Sequence, residues 1–376
     1  MDSTEFDVTV ADSQATVVAP VTPAEFDFEA YEEHEAMLLE TCRAFQEAPS
    51  GVLVHRRMRV REVFSYGCRD MRRSLEFQLG ALTQSLGFQM DIPNFLEPWY
   101  GIGTVASAYG FNYEWYEGQA PAGRTLFRTV EEALRSKPMP VRETAIGRHT
   151  LLMIEYFLEE TGGRLPMSLT DVQSPFNVAC HVVDLNALFM EVIMNPGAVK
   201  ELLDRIAELM VEWTDDQLER MRGQVVWPGH GFASSRPFKG MGMSDDNSLM
   251  IFPDHYFAVA EEADARAGAP FGGLVFHSCG NWTNRVDMVK QLEGLRAVDG
   301  AFSKATDPAP NSPERFAEAF AGTGITVNAR IVGEPRTVED IVKRLWRPDM
   351  KLAVVTYCRT PSKQQEAYER VHGVCG

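Results

Sequence analysis

Apolar and polar residues follow two different patterns along this chain. Helical patterning begins near Phe26 with FEAYEEHEAMLLETCRAFQEA, and VREVFSYGCRDMRRSLEFQLGALTQSLG repeats it, with apolar residues three or four positions apart. From about Leu165 onward, short β-forming runs alternate with helical segments. The runs are LPMSLTDV, GQVVW, GLVFHSC, VDGAFS, ITVNARI and KLAVVTYC. Strands that alternate with helices are typical of βα units and a parallel sheet.

The helical segments of the C-terminal half have recognisable ends. NALFMEVIMNPGAVKELLDRIAELMVEWTDDQLERM predicts two helices that break at Asn195-Pro196, because proline cannot continue a helix. SPERFAEAFAG carries a serine at the N-cap, a proline at the first helical position and a glycine stop. A helix is also predicted at about 256–267, and PGHGFASSRPFKGMGMSDD is predicted to be a long glycine-rich loop.

Two closures of a parallel sheet agree with this pattern, a doubly wound open sheet and an eight-stranded barrel. No G-x-G-x-x-G follows a predicted strand, so dinucleotide binding has little support. A (β/α)8 barrel of the TIM type, with N-terminal helical additions, fits the length of 376 residues better. We therefore expect a polar N-terminal arm over residues 1–25 and a single barrel domain over residues 26–376.

Charge and cysteine content exclude several classes of function. The net charge of −17 offers no basic stripe for phosphates, which argues against a nucleic-acid partner. No apolar run approaches the roughly 18 residues of a membrane span, and the start lacks a signal-peptide pattern. We therefore expect a cytoplasmic protein without a membrane partner. Six scattered cysteines are too few for a disulfide framework, which leaves metal binding or simple packing.

Polar residues stand at three predicted strand ends, where barrel enzymes carry their catalytic groups. Asp171 lies next to the end of SLTDV, His277 and Cys279 lie at the end of GLVFHSC, and Cys358 ends KLAVVTYC. His277 and Cys279 share a face of their strand because they are two residues apart, and the first and last strands of a closed barrel meet. One imidazole and two thiolates suit zinc with an open fourth position. The alternative for each cysteine is ordinary packing.

SLTDVQSPFNVA, the Asp-Asp of GMGMSDDNSLMIFPDHYFAVAEE, and VFHSCGN together resemble the uroporphyrinogen decarboxylase superfamily. The H-x-C pair with a distant C-terminal cysteine is similar to its zinc-dependent branch, the methylcobamide:coenzyme M methyltransferases and related corrinoid-linked enzymes. The resemblance runs from about Pro98 to the end of the chain. It implies a barrel that holds one zinc ion through His277, Cys279 and Cys358.

The resemblance also implies an activity, the transfer of a methyl group between a corrinoid and a zinc-activated thiol or related acceptor. Zinc would deprotonate a bound thiol, whose ordinary pKa lies near ~8.5, and so prepare it to attack the methyl carbon. Asp171 and Gln173 are candidates to orient the substrate. Asp245 and Asp246 could supply a fourth ligand or a partner for His277. For these four residues, loop capping is the alternative.

The expected partners are a methylated corrinoid and a small-molecule methyl donor or acceptor. The chain lacks a D-x-H-x-x-G motif, because PDHYFAV has its aspartate and histidine adjacent and no glycine follows. We therefore expect the corrinoid on a separate protein or as free methylcobalamin. His230 of WPGHG is a second histidine near the expected pocket. The oligomeric state stays open, with a homodimer as one alternative.

Two other functions remain open. The first is decarboxylation of a porphyrinogen or similar polycarboxylate, which needs cationic side chains rather than a metal. The decarboxylases share an Arg-Gln-Ala-Gly-Arg stretch, whereas RRMRVREVF and CRDMRRS are patterned here as a helix. We expect its arginines to form a solvated face, with the alternative that one or two of them reach an anionic substrate. The second is a non-catalytic corrinoid-binding accessory protein on the same barrel.

Overall fold

The computed structural model describes residues 13–376, and its elements alternate between strands and helices. The strands are β1 Gly51–Arg56, β2 Met167–Ser168, β3 Val225–Val226, β4 Met241–Ser244, β5 Leu274–His277, β6 Leu295–Ala301, β7 Thr326–Ile331 and β8 Lys351–Thr356. The helices are α1 Phe28–Glu47, α2 Met71–Ser85, α3 Val130–Arg135, α4 Ala145–Glu160, α5 Pro175–Val182, α6 Leu185–Met194, α7 Pro196–Met221, α8 Pro253–Gly268, α9 Val286–Val289, α10 Pro313–Phe320, α11 Pro335–Leu345 and α12 Pro361–Cys375.

The strands form a parallel ring, which confirms the predicted barrel. Six of them pair side by side in the order β1-β8-β7-β6-β5-β4, and β2 pairs with β3. An irregular segment completes the ring between β1 and β2, since the Asp91 amide donates to the Val54 carbonyl at 2.8 Å and the Ser168 amide donates to the Leu96 carbonyl at 2.8 Å. On the other side, the Gly242 amide donates to the Pro228 carbonyl at 2.9 Å, which joins the end of β3 to β4.

Alternation along each strand divides the core into an inner and an outer layer. In β8, Ala353 and Val355 belong to a small cluster inside the ring, which also contains Leu53 of β1. Leu352 and Val354 belong instead to the large cluster shared with the surrounding helices. Both layers are apolar because a parallel sheet covered by helices is buried on both faces.

Several helix predictions are confirmed at their ends. α6 and α7 meet at Asn195-Pro196 as predicted. The Ser312 hydroxyl accepts from the Arg315 amide at the start of α10, where Pro313 is the first helical residue. In the described part of the chain, no helix is long and apolar enough to cross a membrane.

The segment around VREVFSYGCRD corrects the prediction of one long helix. Only Met71–Ser85 is α-helical, and it follows two short 3-10 turns at Arg61–Phe64 and Tyr66–Arg69. The preceding GVLVHR, for which no strand was predicted, is β1 and pairs with β8 in register. The predicted glycine-rich loop likewise contains β4. Because β1 leads into the carboxyl edge of the barrel, Arg57 and Arg59 line the site. The later arginines of this segment, Arg61, Arg69, Arg72 and Arg73, are exposed as predicted.

The described part of the predicted N-terminal arm packs onto the barrel, while residues 1–12 lie outside the described residues. Ala15 forms a parallel bridge with Arg59, and the Thr16 amide donates to the Arg59 carbonyl at 2.7 Å. Farther along, the Val21 amide donates to the Glu76 carbonyl of α2 at 2.9 Å. The arm therefore lies between α2 and the loop after β1.

The contact between the arm and α2 generates a stability prediction at Gly80. A Cβ at Gly80 would lie 1.9 Å from the Ala19 carbonyl oxygen, so Gly80→Ala must displace the arm. We expect a loss of about 1–3 kcal/mol in the free energy of unfolding, the usual effect of overpacking, in urea titrations. Gly373→Ala is the control, because no atom lies within 4 Å of a Cβ at that helical glycine. Equal stability of the two variants would contradict the contact.

Candidate active site

A cavity of about 340 Å³ lies at the carboxyl edge of the barrel strands. We call it the upper cavity. Five of the predicted site residues line it, namely Asp171, Gln173, Asp246, His277 and Cys279. The remaining lining residues are Gln14, Arg57, Arg59, Ile102, His230, Gly231, Phe232, Ser244, Arg330 and Tyr357. Its position is that of the active site in barrel enzymes of this type.

Three potential metal ligands converge on one side of the upper cavity. The ligand atoms of Asp246, His277 and Cys279 all lie within 4.8 Å of one another. His277 Nε2 lies 3.3 Å from Cys279 Sγ and 3.9 Å from Asp246 Oδ1. The Cys279 amide donates to Asp246 Oδ1 at 2.6 Å, which fixes the loop after β5 against the loop after β4. We call these three residues the ligand cluster.

The other nitrogen of His277 is held by a buried carboxylate. His277 Nδ1 lies 2.6 Å from Asp299 Oδ2, and His277 and Asp299 are register partners on β5 and β6. Arg330 Nε donates to the same Asp299 oxygen at 2.8 Å, and Asn328 Nδ2 donates to Asp299 Oδ1. This arrangement fixes the orientation of the ring and leaves Nε2 facing the ligand cluster.

Charges in this network shift the pKa of both members of the pair. Burial would raise the pKa of Asp299, but Arg330 and His277 lower it below its usual value. Burial would lower the pKa of His277, but the charges of Cys279 and Asp299 raise it well above its usual value. The pocket therefore stabilises positive charge at His277 Nε2, where a proton and a metal cation would compete.

Cys358 is not brought to this pair. No group of three potential ligands within residues 13–376 that lies within 4.8 Å includes it. The preceding residue, Tyr357, lines the upper cavity, whereas the thiol of Cys358 is buried near Glu334 and Lys363 at the ends of α11 and α12. Burial raises the pKa of that thiol. Two of the three predicted ligands, His277 and Cys279, therefore come together here, and Cys358 is not part of their cluster.

A second polar group also lines the upper cavity. Gln173 Nε2 donates to Asp171 Oδ1 at 2.7 Å, and Trp99 Nε1 donates to Asp171 Oδ2 at 3.2 Å. His230 Nε2 lies 3.4 Å from Asp171 Oδ2, and its Nδ1 lies 2.6 Å from Glu97 Oε2. Asp171 and Gln173 are therefore fixed by neighbours and face the space in front of the ligand cluster.

Glu97 is a buried carboxylate that contacts both Arg57 and His230. Arg57 Nη2 lies 3.0 Å from Glu97 Oε1, and both side chains are buried. Burial would raise the pKa of Glu97, but the charges of Arg57 and His230 lower it to about 2. Glu97 therefore holds Arg57 and His230 at the cavity wall as a permanent anion.

Asp245 is neither a member of the ligand cluster nor the side-chain partner of His277, which were the two roles expected for it. It is 1% exposed and points away from the upper cavity, where the Ser174 and Tyr256 hydroxyls both donate to its Oδ2 at 2.7 Å. Burial raises the pKa of Asp245 to about 6. The partner of His277 is Asp299, and only Asp246 of the two adjacent aspartates faces the cluster.

Behind Asp245, Tyr256 lies between two carboxyl groups but has only one proton to donate. Its hydroxyl is 2.7 Å from Asp245 Oδ2 and 3.0 Å from Asp264 Oδ2. Asp264 is buried, and its Oδ1 has no hydrogen-bond partner among the described residues. Burial and the charge of Asp245 raise the pKa of Asp264 well above its usual value. Asp264 is therefore the group that keeps its own proton and donates it to the Tyr256 oxygen.

The donor atoms of the ligand cluster fit a zinc ion. Zinc binds imidazole nitrogen, thiolate sulfur and carboxylate oxygen, and its catalytic sites use three protein ligands and leave one position open. The exposed Cys279 thiol borders the cavity, which leaves room for a further ligand. The carboxylate of Asp299 behind His277 is the usual outer partner of a zinc-bound histidine.

Sequence reasoning missed Asp299, Arg330, Arg57 and Glu97 as site residues. Asp299 and Arg330 lie within the runs VDGAFS and ITVNARI, where a strand was expected but no polar residue was singled out. The signal was a polar residue at an inward position near the carboxyl end of each run. Arg57 was missed because its segment was predicted to be helical.

Comparisons with known proteins agree with this architecture. Residues 97–226 match the model of the uroporphyrinogen decarboxylase (URO-D) family, which confirms the resemblance over a little more than a third of the chain. The match contains Glu97, Asp171 and Gln173 but ends before the ligand cluster. The comparison with curated proteins found no match.

A solved structure shows the same fold. A methyltransferase from Methanosarcina mazei superimposes with a TM-score of 0.50 at 14% sequence identity. The similarity covers 73% of this chain and 77% of that protein. At this identity the similarity establishes the barrel fold alone.

The protonated Asp264 generates a prediction about pH. Its folded-state pKa is raised, so stability is highest below the unfolded value of about 3.9 and falls as the pH rises through the folded value. Asp264→Asn keeps a donor for Tyr256 and removes this titration. We expect the variant to gain on the wild type as the pH rises above about 4, by up to about 1.4 kcal/mol per pH unit until the folded-state pKa is passed, measured by urea unfolding.

The exposed Glu262→Gln on the same helix is the matched control, and it should leave the pH profile of stability unchanged. Parallel profiles for the wild type and Asp264→Asn would show that Asp264 is not the protonated partner of Tyr256.

Proposed function

We propose that the protein is a cytoplasmic, zinc-dependent methyltransferase that moves a methyl group between a corrinoid and a thiol or related acceptor. The observation that carries the proposal is the ligand cluster at the carboxyl edge of the barrel, with Asp299 behind His277. The family match and the barrel shared with a methyltransferase support the general class. The ligand cluster supports the metal.

Asp246, His277 and Cys279 would hold the ion. Zinc bound there would supply Lewis acidity that favours the thiolate form of a thiol in the open position. Asp299 keeps the His277 ring oriented so that Nε2 faces the cluster. The role of Cys358 as a ligand stays a prediction from sequence, and the geometry favours Asp246 in its place.

Asp171 and Gln173, which also line the upper cavity, would position the substrate. Asp171 and Gln173 are held by a hydrogen bond of 2.7 Å and by Trp99 and Asn177, so both side chains have fixed directions at the cavity. Such fixed groups reduce the entropic cost of reaching a reactive geometry. Arg59 and Arg330 also line the cavity and would favour a substrate with an anionic group.

The corrinoid would arrive from outside the chain, since no D-x-H-x-x-G motif is present. We propose that it comes as free methylcobalamin or on a separate corrinoid protein. The small-molecule acceptor or donor would occupy the upper cavity, whose volume of about 340 Å³ suits a compact molecule.

Decarboxylation of a polycarboxylate is the second candidate, and one observation favours it. Arg57 and Arg59 follow β1 directly and line the upper cavity, although their segment was predicted to be a helix with a solvated face. Arg57 is already paired with Glu97, which leaves less positive charge for several substrate carboxylates. We therefore rank this activity below methyl transfer.

Zinc content tests the ligand cluster directly. Elemental analysis of zinc-loaded protein should give about one zinc per chain, and Cys279→Ser should lose most of it. Asp299→Asn should weaken zinc binding by about 10–100-fold, because the outer partner of His277 is lost. Cys375→Ser is the matched control and should keep its zinc.

Cys358→Ser distinguishes the two ligand sets. Full zinc content in this variant would favour Asp246, whereas loss of zinc from the folded variant would restore Cys358 as the third ligand. Full zinc content in Cys279→Ser would contradict both sets.

Activity is tested by mixing the zinc-loaded protein with methylcobalamin and a panel of thiols or tetrahydrofolate. We expect the visible spectrum of the cobalt centre to change as the methyl group leaves, and we expect Cys279→Ser to lose this activity. Cys375→Ser should keep it. An unchanged cobalt spectrum, together with decarboxylated product from uroporphyrinogen in zinc-free protein, would replace this function by the second candidate.

A further inference from the structure

A second cavity, of about 270 Å³, lies at the opposite end of the barrel from the upper cavity. We call it the lower cavity. It is lined at the amino ends of β5, β6, β7 and β8 by Val275, Ala297, Thr326 and Lys351. Its volume is far above the roughly 10–15 Å³ that one water molecule requires. It therefore has room for a small organic molecule.

The walls of the lower cavity combine apolar surface with positive charge. Phe45, Phe232, Phe238 and Ala353 supply much of the apolar surface. The charged residues that line it are Lys239, Arg296 and Lys351, and no aspartate or glutamate among residues 13–376 lines it. This combination suits a ligand with a hydrocarbon part and a negative charge.

Lys351 is the buried cation of this cavity. It shares the inward face of β8 with Ala353 and Val355, and the residue is only 5% exposed. Its ammonium group donates to the Gln46 carbonyl at 3.0 Å and lies 4.7 Å from the centre of the Phe45 ring. Within residues 13–376, no carboxylate forms an ion pair with Lys351, Lys239 or Arg296. A buried ammonium without a counter-ion is costly, and an anionic ligand would remove that cost.

We infer that the lower cavity binds an aliphatic monocarboxylate, with its carboxylate at Lys351 and its hydrocarbon chain against Phe45, Phe232 and Phe238. A single buried cation matches a single carboxylate group. Lys239 and Arg296 are exposed at the rim and would attract the anion as it approaches. This site is independent of the proposed methyl transfer, because it shares no polar ligand with the ligand cluster.

Phe232 and Asn328 connect the lower cavity to the upper one. Phe232 lines both cavities, and its ring centre lies 5.9 Å from that of His277. Asn328 lines the lower cavity, accepts from the Ala233 amide at 3.1 Å and donates to Asp299. A ligand in the lower cavity would therefore contact Phe232 and Asn328, which in turn contact His277 and Asp299.

Isothermal titration calorimetry with octanoate tests this inference. We expect saturable binding to the full-length protein, and we expect octanol and octylammonium to bind about tenfold more weakly or not at all, because they lack the charge that Lys351 requires. Lys351→Met keeps the length of the side chain and should weaken octanoate binding by about tenfold or more. Lys137→Met removes an exposed lysine outside the cavity and should bind octanoate like the wild type.

Ala353→Leu fills the cavity while keeping Lys351, and it should also weaken octanoate binding. The inference would be overturned by equal binding of octanoate and octanol, by wild-type affinity in folded Lys351→Met, or by no binding of octanoate to the wild type. The comparison of the three ligands decides the question even if neither cavity variant folds.

Discussion

The carboxylate of Asp299 is the interaction on which the interior of the barrel and the site both depend. It joins three neighbouring strands, because His277 of β5 and Arg330 and Asn328 of β7 all meet it on β6. A buried charge of this kind is tolerated only with full partnering. The hydrogen bonds that partner the buried Asp299 also hold the His277 imidazole. The interactions that stabilise the interior of the barrel therefore also orient this potential metal ligand.

Two polar networks at the upper cavity contain the same three residue types, a buried acid, an arginine and a histidine. In one network, Asp299 balances Arg330 and orients His277. In the other, Glu97 balances Arg57 and contacts His230. In each case a buried acid neutralises an arginine and places a histidine at the surface of the cavity. The protein thus places two differently held imidazoles at one space without leaving an unpaired buried charge.

The barrel and two of the three residues of the ligand cluster, His277 and Cys279, could be predicted from the sequence because they depend on local patterns. The alternation of strands and helices defined the fold, and the spacing of His277 and Cys279 indicated one face of one strand. Asp299 depends on register between strands, which no local pattern contains. The side-chain direction of Cys358 could not be predicted from the sequence either, because Cys358 lies two residues beyond the end of β8, where strand alternation no longer applies.

The way the N-terminal arm is attached limits how the entrance of the upper cavity can differ between related proteins. Its link to the barrel beside the upper cavity is made by backbone atoms, at the Ala15–Arg59 bridge and the Thr16 amide. Backbone pairing is indifferent to most side chains but strict about spacing. Relatives of this protein could therefore exchange many residues in the arm and keep the same entrance. An insertion or deletion of one residue between Arg59 and the start of α2 would instead reshape the entrance.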